Sequence, residues 1–219
     1  NKTFQVPVTV LNDGDAAGLA EARIGNLQDC DCGATFVLGT GVGLALTSNG
    51  SLISTWNLKD YLRWPSLGEK QVTPEQKQYQ TEILRHGISS LVQNLGSAVN
   101  FVANASRLLE LPEEDGVQVF EVLEAGHHEE LQDLFASYCR EIAILIYNLQ
   151  SLVRLEKVTI GGGISSQSLL LEEINHQYKS LMEESGEQRF SLVEIQAARY
   201  HNSSNLLGAV CHFNILENH

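Results

Sequence analysis

The residues best suited to chemistry fall in two short runs near the start of the chain. Asn12 and Asp13 follow a β-branched run, Val6–Leu11, and precede a stretch with helix-forming composition. An acid at such a junction can take the proton of a hydroxyl that attacks a phosphoryl group, while the neighbouring amide orients the same substrate. Asp at a strand–helix junction is also a common N-cap, so Asp13 or Asp15 is expected to cap a helix over Ala16–Ile24. If Asp15 caps, Asp13 stays free. The second run is Gly39-Thr40-Gly41-Val42-Gly43. Glycines expose backbone N–H groups at which phosphate oxygens can approach closely, and Thr40 adds a hydroxyl. The same run would also serve as a hairpin turn that needs positive φ.

A third candidate is Gly161-Gly162-Gly163-Ile164-Ser165, placed where a strand should hand over to a helix. Backbone there can contact a nucleotide at the positive end of the helix, or can simply permit tight strand–helix packing. Together the three runs point to phosphoryl transfer onto a sugar hydroxyl. A dinucleotide fingerprint fits poorly, because a strand rather than a helix follows Gly39–Gly43. No Gly-x-x-x-x-Gly-Lys run occurs. Cys30 and Cys32 supply half of a tetrahedral zinc site, with no partner pair at zinc spacing, and the adjacent His127 and His128 would diverge on a helix. No resident metal is expected. Trp56, Trp64 and Tyr61 could stack on a sugar ring or fill a core.

The elements that must position these groups follow from periodicity. Val6–Leu11 reads as a buried strand. Ala34–Leu38, Gly43–Thr47 and Ser51–Ile53 read as strands joined by tight turns, with Ser48-Asn49-Gly50 a strong hairpin signal. Thr55–Lys77 is irregular. Glu75–Ser106 is mostly helical, with breaks expected at Gly87 and Gly96. Gly116–Ala125 is a short helix. The longest helix runs from His127 to about Arg154, with apolar residues at steps of three and four. Lys157–Ile160 is a strand, Ser165 or Ser166 is expected to cap the helix Ser168–Glu184, Val193–Ala197 is the last strand and Asn205–Phe213 the last helix. The order is that of a mixed α/β protein.

Composition narrows the partners. The 219 residues carry 14 basic and 27 acidic side chains, a net charge of −13, and 43% hydrophobic residues. Such a chain can bury a sizeable core, and its surface repels nucleic acid and anionic membrane. No apolar run is long enough to span a bilayer. Four cysteines, two of them nearly adjacent, favour a reduced, cytoplasmic protein. The chain opens on Asn1 rather than Met, so a fragment or processed product is expected.

Taken in order, these segments resemble the ROK family of sugar kinases and related repressors. Pro7–Gly25 is similar to the family's strand, Asn-Asp-Ala-Asn segment and following helix. Leu38–Leu52 is similar to its second phosphate loop and hairpin. Gly116–Ser165 is similar to the signature that joins Val-Phe, Ala-Gly, a long helix and Gly-Gly-Gly-Ile-Ser. Tyr200–Phe213, with Asn205-Leu206-Leu207-Gly208-Ala209, resembles the closing helix.

The resemblance implies an α/β fold: a ribonuclease-H-like lobe of the actin-like ATPase fold, a mixed sheet with flanking helices. It implies that Asp13 is the catalytic base and, with Asn12, a sugar ligand. It implies that Gly39, Thr40, Gly41, Val42 and Gly43 face the ATP phosphates and that Gly162 and Gly163 lie near the adenosine. ATP would bring Mg²⁺, held largely by phosphates and water. The family's Asp-x-Gly-Gly-Thr loop is not in the sequence, so residues 1–219 are expected to be mainly the C-terminal lobe. Its Gly-Glu-x-Gly-His segment and its zinc cluster are not found after Ile53. Gly14-Asp15 stands for Ala-Asn, and Leu44-Ala45 for Gly-Gly, a change expected to narrow the loop. The expected reaction is ATP-dependent phosphorylation of a hexose or amino-hexose hydroxyl by a homo-oligomer, a dimer. The alternative is a sugar-sensing or transcriptional-regulator module of the same family that does not turn its ligand over.

Overall fold

Strand β1 (Gly33–Leu38) lies at the centre of a five-stranded mixed sheet in the computed structural model, which describes residues 6, 8–53 and 73–217. The order is β3-β2-β1-β4-β5, with β2 Val42–Ser48, β3 Ser51–Leu52, β4 Lys157–Gly162 and β5 Glu194–Ala197. β1, β2 and β3 form an antiparallel meander, whereas β4 and β5 run parallel to β1. Asn49 and Gly50 both take positive φ (47° and 76°), the requirement of a two-residue hairpin, so the Ser48-Asn49-Gly50 signal is met.

Helices cover both faces. Helix α1 (Asp13–Ile24) packs on β1 and β2 and against α7 (Ser204–Glu217). A Cβ on Gly208 would overlap the Ala16 carbonyl, so the α1–α7 contact depends on that glycine. The alternation within β1 assigns the faces. Ala34, Phe36 and Leu38 join the main core with Val158 and Ile160. Between them Thr35 bonds Thr159 across the strands, hydroxyl to hydroxyl at 2.8 Å. The core is closed by α3 (Ala98–Leu108), α4 (Gly116–Ala125), α5 (Glu129–Leu152) and α6 (Ser168–Glu184). Phe101, Phe120, Phe135 and Tyr138 form an aromatic cluster where α3, α4 and α5 meet. The 24-residue α5 spans about 36 Å at ~1.5 Å per residue.

Several local expectations change. Residues 8–11 form no strand: Val6, Val8 and Val10 are exposed, Val10 by 90%, and no strand among the described residues pairs with them. A β-branched run becomes a strand only where a ladder partner exists. Gly87 does not break α2 (Pro74–Gln93). A Cβ there would overlap the Asn148 amide, so the glycine lets α2 lie close to α5, where Asn148 donates to the Ile83 carbonyl at 3.1 Å. The helix ends instead at Asn94, in the left-handed conformation (φ 56°). Trp56, Tyr61 and Trp64, and most of the irregular stretch 55–77, lie outside the described residues.

Candidate functional site

Asn12, not Asp13 or Asp15, caps α1. Its Oδ1 accepts from the Gly14 N–H at 2.9 Å and the Asp15 N–H at 3.4 Å. The helix therefore starts one turn earlier than composition suggests, because Asn caps as well as Asp. Asp13 becomes the first helical residue, exposed, with one carboxylate oxygen accepting from the Gly14 N–H at 2.8 Å.

The start of α1 is seated on the start of β2. A Cβ on Gly14 would lie 3.6 Å from both Gly43 Cα and Leu44 N. This brings the Asn12-Asp13 pair beside the glycine turn, as sequence order alone could not show. Within the turn, Gly39 N–H donates to the Gly41 carbonyl at 3.0 Å, and Leu38 pairs with Val42. None of Gly39, Gly41 and Gly43 has positive φ. Backbone freedom is thus not why glycine stands there, which corrects the simple hairpin-turn reading. A Cβ on Gly39 would meet nothing within 4 Å. Thr40 is exposed, and among the described residues no hydrogen bond engages its N–H. An exposed backbone with free donors can receive an anion.

Leu44-Ala45 does not crowd this turn from within. Ala45 is buried against α1, filling the space that Gly18 leaves: a Cβ on Gly18 would overlap the Ala45 methyl. Leu44 is 43% exposed.

The glycine run at the end of β4 joins the same edge of the sheet. Parallel register sets Val37 beside Gly161 and Leu38 beside Gly162. Gly162 has φ +103°, and a Cβ there would overlap the Leu38 carbonyl, so only glycine fits. Gly163 has nothing within 4 Å of a built Cβ. Ser165 does not cap α6. Its hydroxyl donates back to the Gly162 carbonyl at 2.8 Å and lies 3.4 Å from His201 Nδ1, while Gln167 holds the cap position without a side-chain bond. The carboxyl ends of β1 and β4 therefore carry both glycine runs, the place where open α/β sheets bind ligands.

Sequence reasoning missed the residues that hold these loops. Asn94 Nδ2 donates to the Thr40 carbonyl at 2.6 Å, and the Ser97 hydroxyl and Val99 N–H both reach the Gly39 carbonyl. Asn-Leu-Gly after a helical pattern is a C-cap signal, but nothing in it says which loop the cap will touch. Glu21, fully buried, accepts the N–H groups of Asn26 at 2.9 Å and Arg199 at 2.8 Å, tying α1 to the loop after β5. Burial raises its pKa, against those backbone bonds. Cys30 and Cys32 are buried; burial raises both thiols, Cys32 to about 11, which keeps them protonated. Among the described residues no group of three or more His, Cys, Asp or Glu side chains could hold a metal, and no helix is long and apolar enough to cross a membrane.

Comparisons with known proteins agree with one another. The family model described as "ROK family" matches residues 1–57 and 94–214. A beta-glucoside kinase of Listeria monocytogenes is 28% identical over 210 residues, covering 95% of this chain and 65% of its own length. The chain thus spans slightly less than two thirds of that relative. A ROK family protein from Streptococcus pneumoniae, solved in complex with sucrose, superposes with a TM-score of 0.70 at 21% identity, over 99% of this chain and 69% of that one. A ROK family glucokinase from Streptomyces griseus, solved with glucose and AMPPNP, gives 0.63 at 22% identity, over 95% and 68%. At these identities the two structures establish the fold, which is the α/β lobe of the actin-like ATPases with its mixed sheet and flanking helices.

Proposed function

The chain belongs to the ROK family, and on that premise we propose that it is mainly the second lobe of a sugar kinase, which transfers the ATP γ-phosphoryl group to a hexose or amino-hexose hydroxyl. The observation that carries the reading is the approach of Gly14 to Gly43, which puts an acid and an open glycine turn side by side.

Asp13 is assigned the hydroxyl proton. Its carboxylate stands at the exposed start of α1, where a sugar oxygen can reach it. Asn12 spends its oxygen on the cap and has an amide N–H₂ to donate to another hydroxyl of the same sugar. Gly39, Thr40, Gly41, Val42 and Gly43 are assigned the phosphates: the exposed Thr40 N–H and hydroxyl suit anionic oxygens. Gly162 and Gly163 are assigned the adenosine side: Gly162 lets β4 close on Leu38 beside that turn, and Gly163 leaves the end of the strand open. Mg²⁺ would arrive with ATP, held largely by phosphates and water, and would neutralise phosphate charge. Positioning and electrostatic stabilisation then do most of the catalytic work.

The test is an assay of ADP release with ATP and a panel of hexoses, N-acetylhexosamines and β-glucosides. Sugar-dependent ADP that Asp13→Asn abolishes, with sugar binding kept, supports the reading. Sugar binding with no ADP across the panel replaces it with the non-catalytic sensor of the same family.

A further inference from the structure

Helix α2 buries one side and leaves an apolar stripe on another. Its inner side, with Ile83, Gly87 and Ser90 buried, packs on α5. The stripe carries Leu84, Ile88, Leu91 and Val92, exposed by 43%, 68%, 60% and 81%, with Leu95 just past the helix end. At ~100° per residue the four helical positions fall within about 100° of the circumference. Leu84, Ile88, Leu91 and Leu95 step by four, three and four. That is the seam along which one helix pairs with another, with Leu at d and a β-branched Ile at a. Residues 58–93, α2 among them, fall outside the match to the family model, so the stripe is no part of the family pattern.

Area and charge name the occupant. The five side chains together expose roughly 500 Å², at the upper end of the apolar patches that monomers leave open. The same stripe on a second copy brings the total to about 1,000 Å², where specific interfaces begin. The apolar stems of Lys77 and Arg85 beside it add to that area. The chain has a net charge of −13, so two copies repel over most of their surface. The stripe has no acid: Glu75 and Glu82 lie more than about 90° around the helix from its centre.

We propose that two copies of this chain pair through their α2 stripes, antiparallel across a two-fold axis near the level of residue 90. A parallel pair would set Lys77 against Lys77 and Arg85 against Arg85. The antiparallel pair sets Ile88 against Val92 and Leu84 against Leu95, a self-complementary contact. It parts the two Arg85 side chains by about 15 Å along the axis at ~1.5 Å per residue, beyond the ~8 Å screening length at physiological salt. The opposed helix dipoles favour the same order. The inference does not depend on the kinase reading.

Sedimentation equilibrium of the full chain, from low to high micromolar concentration, tests it. The expected result is a reversible monomer–dimer equilibrium. Ile88→Glu and Val92→Glu each bury an unpaired charge in the pair and should raise its Kd by roughly tenfold or more. Both side chains are exposed in the single chain, so the melting temperature of the dilute protein should not change. Leu206→Glu, at a 74% exposed apolar position on α7, should leave the Kd as it is. Under mild oxidation a mixture of Ile88→Cys and Val92→Cys chains should form the mixed disulfide in preference to like pairs. A monomer at every concentration, a dimer that both α2 glutamates leave intact, loss of the dimer in Leu206→Glu, or a preference for like pairs would each overturn the proposal.

Discussion

Gly14 and Gly43 meet backbone to backbone: a side chain on either would have only 3.6 Å to the other's Cα. One contact thereby sets the distance between the acid at the start of α1 and the turn between β1 and β2. A β-carbon at either position would sit in van der Waals contact with the other's backbone, so the two segments are packed together at this point. A methyl on Gly14 would come within 3.2 Å of Asn12 Oδ1, the atom that caps the helix.

Asp13→Asn should lower sugar-dependent ADP release by roughly 10²–10⁴-fold while sugar still binds, because the amide cannot take the proton. Asn12→Ala should behave differently. It removes the cap bonds to Gly14 and Asp15 and should cost about 1 kcal/mol of stability. Steady-state kinetics and calorimetry on both variants separate the two roles, and a catalytically normal Asp13→Asn would sink the base assignment.

Gly162 and Gly163 are neighbours with opposite requirements. Gly162→Ala combines φ +103° with backbone overlap at Leu38 and should destabilise the protein by at least about 2 kcal/mol. Gly163→Ala meets nothing and should change stability by less than about 0.5 kcal/mol. If adenosine lies there, Gly163→Ala raises KM for ATP with its stability unchanged. Urea unfolding followed by kinetics reads both.

Gly18 and Ala45 form a size-matched pair across the α1–β2 contact. Gly18→Ala overpacks it and should cost about 1–3 kcal/mol. Ala45→Gly opens room at the same spot. The double variant should be more stable than Gly18→Ala alone, with a coupling on the order of 1 kcal/mol in a double-mutant cycle. Strict additivity would show that the two residues do not share that space.

Stability should also fall in acid through Glu184. Partial burial would raise this carboxyl, but hydrogen bonds from Arg140, Tyr79 and Ser180 outweigh it and hold the pKa at about 2, below its ordinary 4.5. A carboxyl depressed in the folded state contributes stability above its unfolded pKa and loses it as pH falls toward the folded one. The loss therefore lies between pH 4.5 and 2. Solvent screens this partly exposed group, so the effect is modest. Glu184→Gln should flatten the slope of unfolding free energy over that window.

Periodicity revealed the helices with long apolar patterns, notably α4, α5 and α6, because a helix writes its buried face at steps of three and four. Turn chemistry revealed the Asn49-Gly50 hairpin, since only positive φ closes it. Residues 8–11 have the composition of a strand and form none, because strand formation depends on a partner that local composition does not encode. Gly87 follows the same logic: the reason for a glycine there is Asn148, on a different helix.

For the candidate site the division is similar. Residue types along the chain already name the groups available: an acid beside an amide, two glycine-rich turns, and the family to which they belong. Those are properties of residue type and spacing along one chain. Folding in three dimensions was needed to show that Asn12 caps and Asp13 does not, that the two glycine runs lie at the ends of adjacent parallel strands, and that Asn94 braces the Thr40 turn. Each of those facts is a contact between segments brought together by packing, and packing depends on every element at once.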